Sequence, residues 1–175
     1  MTVVVDTNVI LVANGAHDDV SPECVLECVQ RLQQLMQTGS IAIDDAYRIL
    51  GEYQNKTIPR KGKGVGDLFI KWVLTKLADG QRVHLVPLTE LGVDCFAEFP
   101  VPALEAVFDR PDRKFAAVAN AHPAKPAIWQ AADCKWLDWW PELKAQGVDV
   151  EFLCGDDICQ FYAKKFPKKP LPALP

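Results

Sequence analysis

No apolar run in this chain approaches the ~20 residues that a bilayer-spanning helix needs, and the N-terminus has neither the basic region nor the cleavage site of a signal peptide. A protein of the cytoplasm that does not enter the membrane is therefore expected. Its six cysteines lack the paired C-x-x-C spacing of a zinc site. Cys24 and Cys28 stand at i and i+4 without a histidine or a second pair beside them, so all six are expected to be reduced, small core residues. Cys134, beside an aspartate, is expected to be partly exposed, yet no basic constellation marks it as a nucleophile. There is no G-x-x-x-x-G-K-[ST] loop for a nucleotide. Nor is there an excess of positive charge: 19 basic against 23 acidic residues leave −4, so any nucleic-acid contact must be local.

What the chain does contain is enough apolar material for one core. At 175 residues, 49% hydrophobic and 24% charged, it fits a single domain, expected over residues 1–166, followed by a proline-rich tail at 167–175 that should be extended and mobile.

Val3 to Val5 read as a strand covered on both faces, because the run is β-branched and does not alternate. Asp6 follows at once, and Thr7 and Asn8 are capping types that turn the chain into a helix. Asp6 thus stands at the carboxyl end of a strand, the edge where open parallel sheets bind ligands. Taken alone, it reads better as a helix or turn cap, and the further acids at strand and helix ends are what shift the balance.

The pattern then recurs. Ser21, Pro22 and Gly39 bracket a helix whose apolar face is Val25, Val29, Leu32 and Met36. SIAID at 40–44 is a second strand ending in acid, and Asp44 or Asp45 caps a helix carrying Glu52. Glu52 alone reads as a solvated position paired with Lys56 four residues on. A glycine-rich basic stretch over 55–67 offers Lys56, Arg60, Lys61 and Lys63 for phosphate. Another amphipathic helix covers 68–78, and VHLVPL at 83–88 is a third strand, with His84 a structural residue. Residues 89–110 are irregular, with one short helix near 103–108. Pro111 and Asp112 then open a helix in which Asp112 shares the packing face of Phe115, Ala116 and Ala119, with Asp109 a weaker candidate for the same role. AIWQAAD at 127–133 repeats the strand-then-aspartate order at Asp133. A helix interrupted or restarted at Pro141, a fifth strand at 148–153 and a last helix complete the chain.

Five short strands alternating with helices predict a three-layer, doubly wound parallel α/β sheet, in the order 3-2-1-4-5. That order sets Asp6 and Asp133 across the crevice at the switch point, within reach of Glu52 and Asp112.

At this point VVVDTNVI, the glutamate of ILGEY, PDRKFAAVA and QAADCKWL together resemble the four acidic motifs of the PIN-domain nuclease family, in the family's order and over nearly the whole chain. The resemblance implies a metal-dependent endoribonuclease like the VapC-type toxins, with Asp6, Glu52, Asp112 and Asp133 as the catalytic quartet. It also implies Mg²⁺ or Mn²⁺ as cofactor, RNA as substrate, an antitoxin as partner and a homodimer. One departure stands out: many members carry an acid two residues after the fourth motif's aspartate, and here that residue is Lys135, with Asp138 the nearest substitute.

Hard cations prefer carboxylate oxygen, and they activate water and neutralise charge in phosphodiester hydrolysis. In the roles so implied, Asp6, Asp112 and Asp133 bind metal and Glu52 binds through water or orients the attacking water. Thr7 and Asn8 bond the carboxylates or the phosphate, while Arg113, Lys114 and the 56–63 loop hold the RNA backbone. Two rivals remain. An aspartate-nucleophile phosphatase needs a second acid two residues after the first, where this chain has Asn8. A PIN-like module without catalysis, serving as a binding or regulatory domain, is the other, and Lys135 is its best support.

Overall fold

A computed structural model describes residues 1–57 and 62–175. Five parallel strands make the central sheet: β1 (Thr2–Val5), β2 (Ser40–Asp44), β3 (Val83–Val86), β6 (Ala127–Gln130) and β7 (Val150–Phe152), in the order β3-β2-β1-β6-β7. Counted along the sheet strands alone, this is the expected 3-2-1-4-5. The helices between them are α1 (Thr7–Ala13), α2 (Pro22–Thr38), α3 (Arg48–Lys56), α4 (Val65–Lys76), α5 (Arg113–Ala121) and α6 (Trp136–Ala145), with α7 (Gly155–Lys165) after β7. The direction in which successive strands are added reverses at β1, where β2 pairs on one side and β6 on the other. Right-handed crossovers therefore carry the connections through α1 to α4 over one face and those through α5 and α6 over the other.

The inner strands are buried on both sides, which is why Val3–Val5 and Ile41–Ile43 show no alternation. Helices α1 and α4 approach so closely that a β-carbon on Gly66 would lie 2.3 Å from the carbonyl oxygen of Ile10. Only glycine fits that contact without moving backbone. Under α6, Phe108 stacks on Trp139 at 4.1 Å and meets Trp136 edge-on at 5.2 Å, so these tryptophans pack as expected. No helix among the described residues is long and apolar enough to cross a membrane.

Several local expectations are corrected. Residues expected to be irregular include an antiparallel hairpin, β4 (Glu90–Gly92) with β5 (Cys95–Phe96), followed by 3₁₀ turns at Pro102–Leu104 and Arg110–Asp112. Pro141 neither interrupts nor restarts α6, which runs through it. Of the two acids expected to cap α3 it is Asp44 that does so, accepting from the backbone N–H of Arg48 and Ile49 at 2.8 Å each, while Asp45 precedes the helix. The tail is extended, but the indole of Trp140 donates to the Ala173 carbonyl at 3.0 Å and Lys169 pairs with Asp138 at 3.2 Å. It is thus held against α6. Cys24 and Cys154 form a disulfide, overturning the expectation of six reduced cysteines, and Cys134 is buried instead of partly exposed.

Candidate functional site

Parallel pairing brings the carboxyl ends of β1 and β6 side by side, and the N–H of Asp6 donates to the Trp129 carbonyl at 3.0 Å. Asp6 is itself the cap of α1: its Oδ1 accepts from the backbone N–H of Asn8 at 2.9 Å and from the Asn8 side-chain amide at 2.6 Å. The capping and the site readings of this residue therefore coexist. The other end of the same amide, Asn8 Oδ1, accepts from the N–H groups of Ala131 and Ala132 at 2.9 and 3.2 Å. Asn8 is in this way a bracket across the switch point, tying the acid after β1 to the turn that presents Asp133.

Helix α3 is hung over the same edge by the Tyr53 hydroxyl, which donates to the carbonyl of Val5. This puts the neighbouring Glu52 beside the strand end, where Thr7 Oγ1 donates to its carboxylate at 2.6 Å. The partner of Glu52 is Lys114 of α5, not Lys56. Lys114 also donates to the Pro111 carbonyl and is almost wholly buried, so it neutralises acids within the site and is not a cation offered to an RNA backbone.

From the opposite side come Asp109, Asp112 and Asp133. Each offers a carboxylate oxygen within 4.8 Å of the others. Asp109, the weaker candidate from sequence, is thus a full member of the cluster. Asp6 lies behind the three, only 4% exposed, and close enough that Asp112, Asp133 and Glu52 all act on its charge. Burial, then the Asp112 carboxylate, raises Asp6 well above the ordinary carboxylate value. Burial, then Asp133, pushes Asp112 up to about 7 against the opposing pull of Lys114. Ionising all of these groups together is costly, and a cation between them relieves the cost.

The donor set suits such a cation. Three hard oxygens at these separations approach the roughly 3–4 Å edges and diagonals of an octahedral shell with bonds of about 2.1 Å. Asp109, Asp112 and Asp133 would hold it, with Asp6 behind them.

Lys135, at the position where an acid was looked for, places its ammonium on Asp109, while its backbone N–H donates to Asp133 at 3.1 Å. Asp138 is no substitute: it faces α7, accepting from the Tyr162 hydroxyl at 2.5 Å and from Lys169. Arg113 is buried and turned under the hairpin, donating to Cys95 Sγ at 3.2 Å and to the Glu105 carbonyl, so it is withdrawn as a backbone contact. Thr7 and Asn8 bond protein carboxylates. Lys56 and Lys63 are exposed; Arg60 and Lys61 lie outside the described residues.

Fold and site together define a three-layer parallel α/β protein with an acidic notch at its switch point. Comparison of the chain with protein-family models, with curated proteins and with solved structures finds no match.

Proposed function

We propose that the protein is a divalent-metal-dependent ribonuclease of the PIN type, cutting RNA at the notch formed by Asp109, Asp112 and Asp133. The observation that supports this best is the convergence of carboxylates from two sides of the switch point, three of them within 4.8 Å, more negative charge than the single Lys135 ammonium on which all three act can balance. Mg²⁺ or Mn²⁺ would supply Lewis acidity and a water of lowered pKa at neutral pH. The chain's own residues do the rest. Asp6 and Asn8 hold the strand ends in register, and Glu52 is aimed by Thr7 and Lys114 toward the same crevice.

A second reading is favoured by one observation, the Lys135 ammonium bound to Asp109. On that reading a protein cation replaces part of the metal charge and the domain binds RNA without cutting it. Incubating the purified protein with fluorescent single-stranded RNA separates the two. Cleavage that needs Mn²⁺, stops with EDTA and falls by about 100-fold or more in Asp112→Asn or Asp133→Asn is expected, since several kcal/mol of charge stabilisation are removed. Retention of RNA without cleavage under every metal condition favours the module.

A further inference from the structure

Beside the notch, and sharing Asp133 with it, lies a groove of about 510 Å³ between the loop after α1 and the carboxyl end of α7, lined by His17, Asp19, Cys134, Phe161, Lys164 and Lys165. We propose that this groove seats the nucleotide next to the cleaved bond of a single-stranded RNA, with Lys164 and Lys165 on the following phosphates and the base against His17 and Phe161. This deepens the nuclease reading and rests on it for the position of the cleaved bond.

The volume is within the range of small-molecule sites, roughly 300–1,000 Å³. Its chemistry is graded along its length. At one end is the acidic notch, which accepts a phosphate only through a cation. At the other are two exposed lysines on consecutive positions of the last turn of α7, which supply plain counter-charge. A strand leaving the notch past Asp133 runs from the first to the second. Lys165 and Cys134 both line this end of the groove. Asp19 lines the groove from the loop side.

Between these ends is an aromatic wall. The His17 ring stacks on Phe161 with centroids 5.7 Å apart and an interplanar angle of 29°. His17 Nδ1 is buried without a hydrogen-bond partner among the described residues, so turning it toward a base or ribose breaks no hydrogen bond of that nitrogen. A stacked aromatic beside paired cations is the combination that binds single strands with little sequence preference.

The test is binding of fluorescein-labelled single-stranded RNA, followed by anisotropy across a salt series with Ca²⁺ present, alongside Mn²⁺-dependent cleavage. For single strands each neutralised phosphate adds about 0.7 to the slope of log affinity against log salt. Lys164→Ala/Lys165→Ala should lower that slope by about 1.4, and His17→Ala should weaken binding by about tenfold with the slope kept. Lys144→Ala, whose ammonium pairs with Asp149 away from the groove, should match the parent. Loss of slope in a protein that does not cut RNA upholds the groove and removes the nuclease reading. Parental cleavage together with unchanged affinity and slope in both groove variants overturns the groove and leaves the nuclease reading standing. Absence of any RNA binding by the parent overturns the groove as well.

Discussion

Lys114 is the residue on which the acidic notch is electrostatically balanced. It is nearly buried, it pairs with Glu52, and its charge opposes the burial and repulsion that raise Asp112. A surface ion pair of this kind would contribute about 0–1 kcal/mol, but one partner of a buried pair leaves an uncompensated charge when removed, at about 3–5 kcal/mol. Lys114→Met should therefore destabilise the metal-free protein by about 3 kcal/mol in urea titrations with EDTA. On the metal reading proposed above, the loss should shrink with Mn²⁺ present, because the ion would take over the same task among Asp109, Asp112 and Asp133. A loss below about 1 kcal/mol in EDTA would place Lys114 among ordinary surface lysines. The same balance explains why Lys114 is a poor choice for holding RNA: moving its ammonium to a phosphate would strand Glu52.

At the level of elements, the end of α5 is fastened to β3 by two histidines. His122 Nδ1 accepts from the Ala124 N–H at 3.1 Å, so its Nε2 carries the proton and donates to His84 Nδ1, 2.7 Å away. Burial, then the nearby His84, holds His122 below its ordinary value of 6.5. The folded state thus takes up this proton later than the unfolded chain does. The pair's contribution is complete above pH 6.5 and fades as pH falls through 6.5 toward the lower folded value. NMR titration should give a His122 midpoint below 6.5, and His84→Leu should flatten the fall in thermal midpoint between neutral pH and pH about 5. A midpoint at or above 6.5 contradicts the arrangement. This pair also marks what sequence can and cannot reveal. Val3–Val5, Ile41–Ile43 and the AIWQ strand were legible because buried parallel strands must be apolar on both faces; the first two run straight into an acid, Asp6 and Asp44, while Asp133 follows the third after two alanines. The β4–β5 hairpin was not, since every residue of β4 is exposed and no alternation betrays a strand. His84 with His122, Glu52 with Lys114 and Lys135 with Asp109 were hidden for a different reason. Each pairs residues 26 or more positions apart, and only the folded sheet brings them together.

Across the whole molecule, the two ends of the chain's path are joined where α2 and α7 begin. Ser21, which caps α2, donates its backbone N–H and its hydroxyl to Asp157 of α7 at 2.8 and 2.7 Å. One turn into α2, Cys24 is bonded to Cys154, across a separation of 130 residues. Most of the fold, including every strand after β1 and all of the acids except Asp6, lies inside that loop. Closing so long a loop in the unfolded chain is worth about 5 kcal/mol on the chain-entropy account, and measured disulfides commonly deliver 2–4. Cys28 lies 3.9 Å from Cys154 Sγ, and burial raises its thiol to about 12, so it is held as an unreactive neighbour instead of a ready exchange partner. Two measurements follow from this arrangement. Unfolded under non-reducing conditions, the chain should titrate four thiols, those of Cys28, Cys95, Cys134 and Cys159. Reduction, or Cys24→Ser with Cys154→Ser, should lower the unfolding free energy by about 2–4 kcal/mol. Because the bond sits at the start of α2 and the entry to α7, while the notch is built from β1, β6, α3 and the segment leading into α5, the Mn²⁺ binding proposed for the notch should be the same in the reduced but folded protein. Six thiols without reductant, or a urea midpoint indifferent to dithiothreitol, would mean that the packing of α2 against α7 stands without the bond.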